Sequence, residues 1–132
     1  MTRVTHSLTS IILLNTLVVF GCGFKKSPSA IVKATYMAAN SAQYSEVEKH
    51  LSKRARSDLN GPLATPSGGF KGVWDMKTRN GTIEKIEVVR EFINGERAVV
   101  HIDIYLRDGR RAEDGVILIK EDGEWKLDSN IL

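Results

Sequence analysis

Residues 80–132, NGTIEKIEVVREFINGERAVVHIDIYLRDGRRAEDGVILIKEDGEWKLDSNIL, decide the fold. Four turn-forming dipeptides punctuate the stretch at intervals of 14 residues: Asn80-Gly81, Asn94-Gly95, Asp108-Gly109 and Asp122-Gly123. Such pairs tolerate positive φ at two successive positions, as a two-residue type I′ hairpin turn demands, and the runs between them are rich in Val, Ile, Phe, Tyr and Trp. The pattern predicts an antiparallel meander, with Asn80-Gly81 closing a preceding helix. Twelve residues separate successive dipeptides. Fully extended strands would then reach about 40 Å, twice the usual length. Strands that long in a small domain must curve, and bulges are the usual means.

Pairing tests the faces. Across Asp108-Gly109 a strict two-residue turn sets Ala98 opposite Ile119, Val100 opposite Ile117, Ile102 opposite Gly115 and Asp103 opposite Asp114. Across Asp122-Gly123 it sets Leu118 opposite Leu127 and Lys120 opposite Trp125. One face then carries Val89, Ala98, Val100, Ile102, Ile104, Ile117 and Ile119, and the other Ile86, Val88, Val99, Val116, Leu118, Trp125 and Leu127. Both are apolar. Either a bulge swaps the faces of one strand, or helices cover one side and a partner the other.

Working outward, Ser27-Pro28 reads as the N-cap and first residue of a helix. Ile31, Thr35, Ala38 and Ala42 follow at helical spacing, with Val32, Tyr36 and Ala39 beside them. A second helix starts near Tyr44, with the stripe Tyr44, Val47 and Leu51. Arg54 to Asn60 either continues it or forms a separate turn. Residues 61–69 are a loop by composition, and Phe70, Val73, Trp74 and Lys77 carry a short third helix ending near Asn80. Trp74 is the one tryptophan outside the meander, and a core plug is its expected role, ahead of ligand stacking.

The N-terminus is a targeting segment, with Arg3 as the positive n-region and Leu8 to Phe20 as the apolar h-region. As one helix that region would reach about 20 Å, short of the ~30 Å hydrocarbon core, so a permanent span is not expected. Val19-Phe20-Gly21-Cys22 resembles the lipobox of bacterial lipoproteins, in which a small residue precedes a cysteine that is acylated and becomes residue one of the mature chain. Gly21, Cys22 and Val19 match, while Phe20 is larger than the pattern's usual residue. Cys22 is the only cysteine, so no internal disulfide can form, and no Cys/His set has zinc spacing. The resemblance implies cleavage between Gly21 and Cys22, anchoring by several acyl chains, and, with Gly23 rather than Asp following, delivery to the outer membrane facing the periplasm. The chain divides into a signal peptide (1–21), a lipidated tether (22–26) and one domain (27–132).

The formal charge of +3 falls to +2 once Arg3 is removed. Lys53, Arg54 and Arg56 stand close together, but Asp58 follows, and a solvated helix face is expected rather than a nucleic-acid site. There is no Gly-rich phosphate loop, nucleophile elbow or metal-ligand motif, and no cofactor is expected.

Helices first, then a curved four-stranded meander, is the order of the nuclear transport factor two-like, cystatin-like superfamily. The mature part is similar to the lumazine-binding-like domains of bacterial lipoproteins. Ser27-Pro28, the join Ala39-Asn40-Ser41-Ala42-Gln43-Tyr44 and the hairpin from Lys120 to Leu127 carry the likeness. It implies an α+β cone, two to three N-terminal helices on a four-stranded antiparallel sheet, with a pocket between them. Members isomerise or dehydrate small molecules, bind ligands, or only associate, and fold alone does not choose.

His101, Asp103 and Tyr105 alternate on one strand and project to one face. With Tyr36 and Trp74 they are the candidate pocket, His101 and Asp103 serving as general-base pair. Residues i and i+2 along a strand are about 7 Å apart, too far for a direct hydrogen bond, and a solvent-facing polar strand side is the plainer reading. His50 is expected on the surface or edge of the second helix. The expected function is a non-enzymatic, lipid-anchored envelope module. Its partners are the membrane, through the lipid, and a second copy or another envelope protein, through the sheet. The alternatives are a small isomerase- or dehydratase-like enzyme using His101 and Asp103, and a purely structural lipoprotein.

Overall fold

The computed structural model describes residues 25–60, 69–78 and 80–128. The signal segment with Gly21 and Cys22, and the loop 61–68, lie outside the described residues. Four helices, α1 (Pro28–Asn40), α2 (Tyr44–Lys49), α3 (Lys53–Asn60) and α4 (Gly69–Lys77), precede β1 (Ile83–Asn94), β2 (Arg97–Leu106), β3 (Arg111–Glu121) and β4 (Glu124–Leu127). The strands form one antiparallel sheet in the order β1-β2-β3-β4. This is the expected α+β meander with helices on one face.

Capping chemistry sets the helix ends. The Oγ of Ser27 accepts from the Ala30 N–H at 3.2 Å, with Pro28 inside the first turn. At the other end α1 stops earlier than the apolar spacing predicts, because Ala42 turns left-handed at φ 56°. The Gln43 N–H then reaches the Ala38 carbonyl at 2.8 Å and the Ala42 N–H the Ala39 carbonyl at 3.0 Å, a Schellman stop. Residues 54–60 belong to a helix of their own, α3, whose cap is Ser52. Its hydroxyl accepts from the Ala55 N–H at 3.0 Å and donates to the Asp128 carboxylate at 3.0 Å. α4 ends at Lys77, near the predicted stop, and Asn80 just beyond it is left-handed at φ 58° and donates its N–H to the Asp75 carbonyl at 2.8 Å.

The three hairpin dipeptides make three different turns. Asp122 and Gly123 both have positive φ (52° and 79°) between the paired Glu121 and Glu124, the type I′ pattern. At the first hairpin the two central residues are Gly95-Glu96, one later than the dipeptide, because Asn94 itself pairs with Arg97. At the middle hairpin Arg107, Asp108 and Gly109 form a three-residue loop. The Gly109 N–H bonds the Leu106 carbonyl at 3.0 Å, the Leu106 N–H bonds the Arg110 carbonyl at 2.9 Å, and Gly109 sits at φ 89°. A β-turn followed by a left-handed glycine is the usual three-residue connection.

That extra residue corrects the expected register. Ala98 pairs with Leu118, Val100 with Val116, Ile102 with Asp114, and Asp103 with Glu113, each one residue from the strict two-residue prediction. β3 therefore exchanges its faces, and the two apolar faces become one. Val116 and Leu118 join Ala98, Val100, Ile102 and Ile104 in the core, whereas Ile117 and Ile119 move outside and are half-buried. The pairs Leu118–Leu127 and Lys120–Trp125 hold as predicted.

β1 carries two register shifts, between Ile83 and Lys85 and between Val88 and Arg90. The second leaves Val89 unpaired and turns Glu91 toward the helices. Its carboxylate accepts from the backbone N–H of Ser29 at 2.9 Å and from the Ser29 hydroxyl, at the positive end of α1. Ile31, Val32, Tyr36 and Ala39 of α1 pack against the inward residues of the sheet, and Val47, Leu51, Ala55, Leu59, Val73 and Trp74 complete the core. The edge of β4 is covered by a short parallel bridge, in which the Ser52 N–H bonds the Leu127 carbonyl at 2.7 Å and the Leu127 N–H the His50 carbonyl at 2.8 Å. The buried apolar side chains among the described residues run from Pro28 to Leu127.

An alanine in the left-handed region costs about 1 kcal/mol relative to glycine. Ala42→Gly should therefore stabilise the domain by up to about that amount, read as a higher urea midpoint with an unchanged slope.

Candidate functional site

The five residues expected to share a pocket are divided by the sheet. Tyr36 and Trp74 lie inside, ring centroids 4.9 Å apart in an edge-to-face contact. His101, Asp103 and Tyr105 project from β2 to the opposite, outer face, so the single-pocket expectation is corrected. The reason is the alternation itself. Ile102 and Ile104 are 1% exposed on the helix side, which commits their neighbours to the other.

Inside, the helices and sheet enclose a cavity of only about 20 Å³, bounded by Thr35, Tyr36, Val47, Leu51, Val73, Trp74, Lys77 and Leu127. That is room for about one water molecule. Tyr36 and Trp74 fill the space where a pocket was expected. The Tyr36 hydroxyl donates to the Asp114 carboxylate, and the Lys77 ammonium bonds the same Oδ2 at 2.8 Å. Burial drives the Tyr36 phenol well above the usual tyrosine range, and the Asp114 charge and hydrogen bond push it further. Donor and acceptor are thus committed to each other: the group is an internal tie between α1, α4 and β3. Asp114 was expected across from Asp103, where the two could share a proton, but the register places it opposite Ile102 on the inner face. Lys77 was legible as a cation at the end of an apolar helix stripe, and only its partner was hidden.

Outside, His101 is exposed and lies over Gly115. A Cβ at Gly115 would sit 3.5 Å from two atoms of the imidazole ring. Around them runs an open groove of about 480 Å³, lined by Val89, Arg90, Asp103, Arg111 and Glu113 among others. The Asp103 carboxylate is held by Arg111 at 2.7 Å, and the same guanidinium reaches Glu113 at 3.0 Å, neutralising two like charges paired across the strands. Tyr105 donates to Glu87 at 3.2 Å. Asp103 is therefore engaged by Arg111, and no hydrogen bond among the described residues orients His101 as a base. Beside the groove the outer face is apolar. Phe92 is 53% and Val89 60% exposed, and the half-buried Val99, Ile117 and Ile119 continue the patch. No three His, Cys, Asp or Glu side chains among the described residues are grouped as a metal site would need.

This geometry defines an α+β cone of the NTF2-like class. Solved structures with the same fold include a protein from Campylobacter jejuni provisionally named an NTF2-like transpeptidase. It shares 16% identity over 78% of this chain and 98% of its own, with a TM-score of 0.57. A SEC-C motif containing protein from Rhodopseudomonas palustris matches with 16% identity, 77% and 75% coverage and a TM-score of 0.55. An NTF2-like protein of unknown function from Shewanella baltica matches with 20% identity, 76% and 84% coverage and a TM-score of 0.52. At these identities the likeness concerns the fold. Residues 20–128 match the domain of unknown function DUF4878, and the chain belongs to that family. No curated protein matches it in sequence.

Two outcomes test the division of roles. Asp114→Ala strands a buried hydroxyl and a largely buried ammonium and should cost about 2–4 kcal/mol in urea unfolding, whereas His101→Ala at the exposed face should stay within about 0.5 kcal/mol. Because Tyr36 is raised in the folded state, its share of stability is complete below the unfolded value near 10 and is lost as pH climbs through the folded value. Unfolding free energies measured between about pH 9 and 11 should fall, and Tyr36→Phe should flatten that slope.

Proposed function

We propose that this chain is a lipid-anchored, non-enzymatic association module of the bacterial cell envelope, held by Cys22 at the outer membrane and facing the periplasm. Its working surface is the outer side of the sheet, which takes a protein partner, a second copy of the chain or another envelope protein. The observation that carries this reading is the contrast between the two sides. Among the described residues the cavity between helices and sheet holds about 20 Å³, whereas the outer side exposes Phe92 and Val89 beside a groove of about 480 Å³. A contiguous apolar patch rimmed by charges is what protein interfaces use. The enzyme alternative, His101 acting with Asp103, is weaker because Arg111 occupies the carboxylate. The lumazine-binding-like label and the lipobox rest on their sequence resemblance.

Association is tested by a photo-crosslinking residue at Phe92 or Val99 in cells. The expected result is a discrete crosslinked species, lost when the other of the two positions carries Asp. Absence of any product from both sites sinks the proposal. Anchoring is tested separately: Cys22→Ser should move the protein out of the membrane fraction. A His101→Ala chain with full cellular function would remove the enzyme alternative.

A further inference from the structure

Away from both faces already described, a cleft of about 380 Å³ opens between the start of α1, the end of α2 and the last hairpin. Lys25, Lys26, Lys49 and Lys126 line it, with His50 and the ring of Trp125. Two of the cations are balanced, Lys49 by Glu46 at 2.6 Å and Lys126 by Glu124 at 3.2 Å. Lys25 and Lys26 have no ion pair among the described residues, and the Lys25 ammonium reaches over the β3–β4 turn, 3.0 Å from where a Gly123 Cβ would stand. Among the lining residues and their ion-pair partners the balance is two positive charges, those of Lys25 and Lys26. Lys120 stacks 5.0 Å from the Trp125 ring centroid, and Glu121 and Asp122 of the same hairpin offset its charge. His50 caps α2 and is half-buried. Burial lowers its affinity for a proton, Lys26, Lys126 and Lys49 push the same way, and Glu46 opposes them. A half-buried imidazole beside several ammonium groups is short of one thing, an anion.

We propose that this cleft docks on anionic phospholipid headgroups at the surface of the membrane that carries the anchor. The phosphodiester would be held by Lys25 and Lys26, with Trp125 at the headgroup level. The proposal rests on the lipoprotein reading in one respect, the position of the tether. Cys22 precedes Lys25 by three residues, a reach of at most about 11 Å even fully extended. An acylated Cys22 therefore holds the cleft within roughly one Debye length of the bilayer surface, where each lysine contributes to binding. A second charged cluster, around Arg111, is balanced by Asp103 and Glu113 and lies on the outer sheet face. The docking orients the domain, cleft down, rather than leaving it to swing on its tether.

The test uses the mature chain, residues 22–132, carrying Cys22→Ser so that no acyl chain contributes. Vesicles of phosphatidylcholine with and without phosphatidylglycerol are the probes. Binding is expected only to the phosphatidylglycerol vesicles, weakening as salt rises, and Lys25→Glu with Lys26→Glu should reduce it roughly tenfold or more. Both positions precede α1 and contribute nothing to the core, so the double variant should keep its circular dichroism and urea midpoint. With soluble short-chain phosphatidylglycerol, the His50 ring resonances should titrate at a higher pH than in the free protein, because a bound anion favours the imidazolium. Equal binding to both kinds of vesicle, undiminished binding by the charge-reversed chain, or an unmoved His50 titration would each overturn the proposal. So would inorganic phosphate binding as tightly as the vesicles, which would make this a soluble-anion site. None of these outcomes depends on whether Cys22 is acylated in cells, which the fractionation experiment decides by itself.

Discussion

Side chains alternate along a strand, so the number of residues in each hairpin loop decides which side of this sheet meets the helices. Between β2 and β3 the loop holds three residues, with Gly109 in the left-handed region. That sets Val116 and Leu118 beside Val100 and Ala98 on the buried face. A two-residue turn at the same dipeptide would bury Ile117 and Ile119 instead and turn Asp114 outward, and the bond to Tyr36 could not form. The bulge at Val89 works in the same way on β1, delivering Glu91 to the N-terminus of α1. Two single-residue offsets thus fix both the hydrophobic core and its polar ties.

The cone is closed from within. Tyr36 is 1% and Trp74 8% exposed, and they occupy the space between helices and sheet with two of the chain's largest side chains. The polar atoms this brings inside are satisfied, Tyr36 and Lys77 by Asp114, and Asp128 by Ser52 and the exposed Arg54. Among the described residues the groove on the outer sheet face and the basic cleft at Lys25 and Lys26 are far larger than the cavity between helices and sheet.

The candidate site was legible in part. That His101, Asp103 and Tyr105 share a face follows from alternation alone, and they do. Which face they share, and what they meet there, could not be read, because that depends on the loop connecting β2 to β3 and on the bulge in β1. Tyr36 and Trp74 were recognisable as large aromatics on helical stripes, and the core role expected of Trp74 holds. Asp114 was seen, but in the wrong company, since a shift of one residue carries a side chain through the sheet. The basic cleft had no local signal: its lysines come from positions 25, 26, 49 and 126 and become neighbours only when α1, α2 and β4 close together.

Local covalent preferences were readable from the chain itself. Ser27-Pro28 opened α1, Asn80-Gly81 stopped α4, the Asp122-Gly123 turn formed with both residues at positive φ, and the runs between turns became one antiparallel sheet. Each of those outcomes depends on a few adjacent residues and their allowed dihedral angles. Register, the choice of buried face, the closing of the cone and the meeting of distant charges were settled only in three dimensions. They turn on differences of a single residue between loops of similar local stability, and packing of the whole core against the helices is what selects among them.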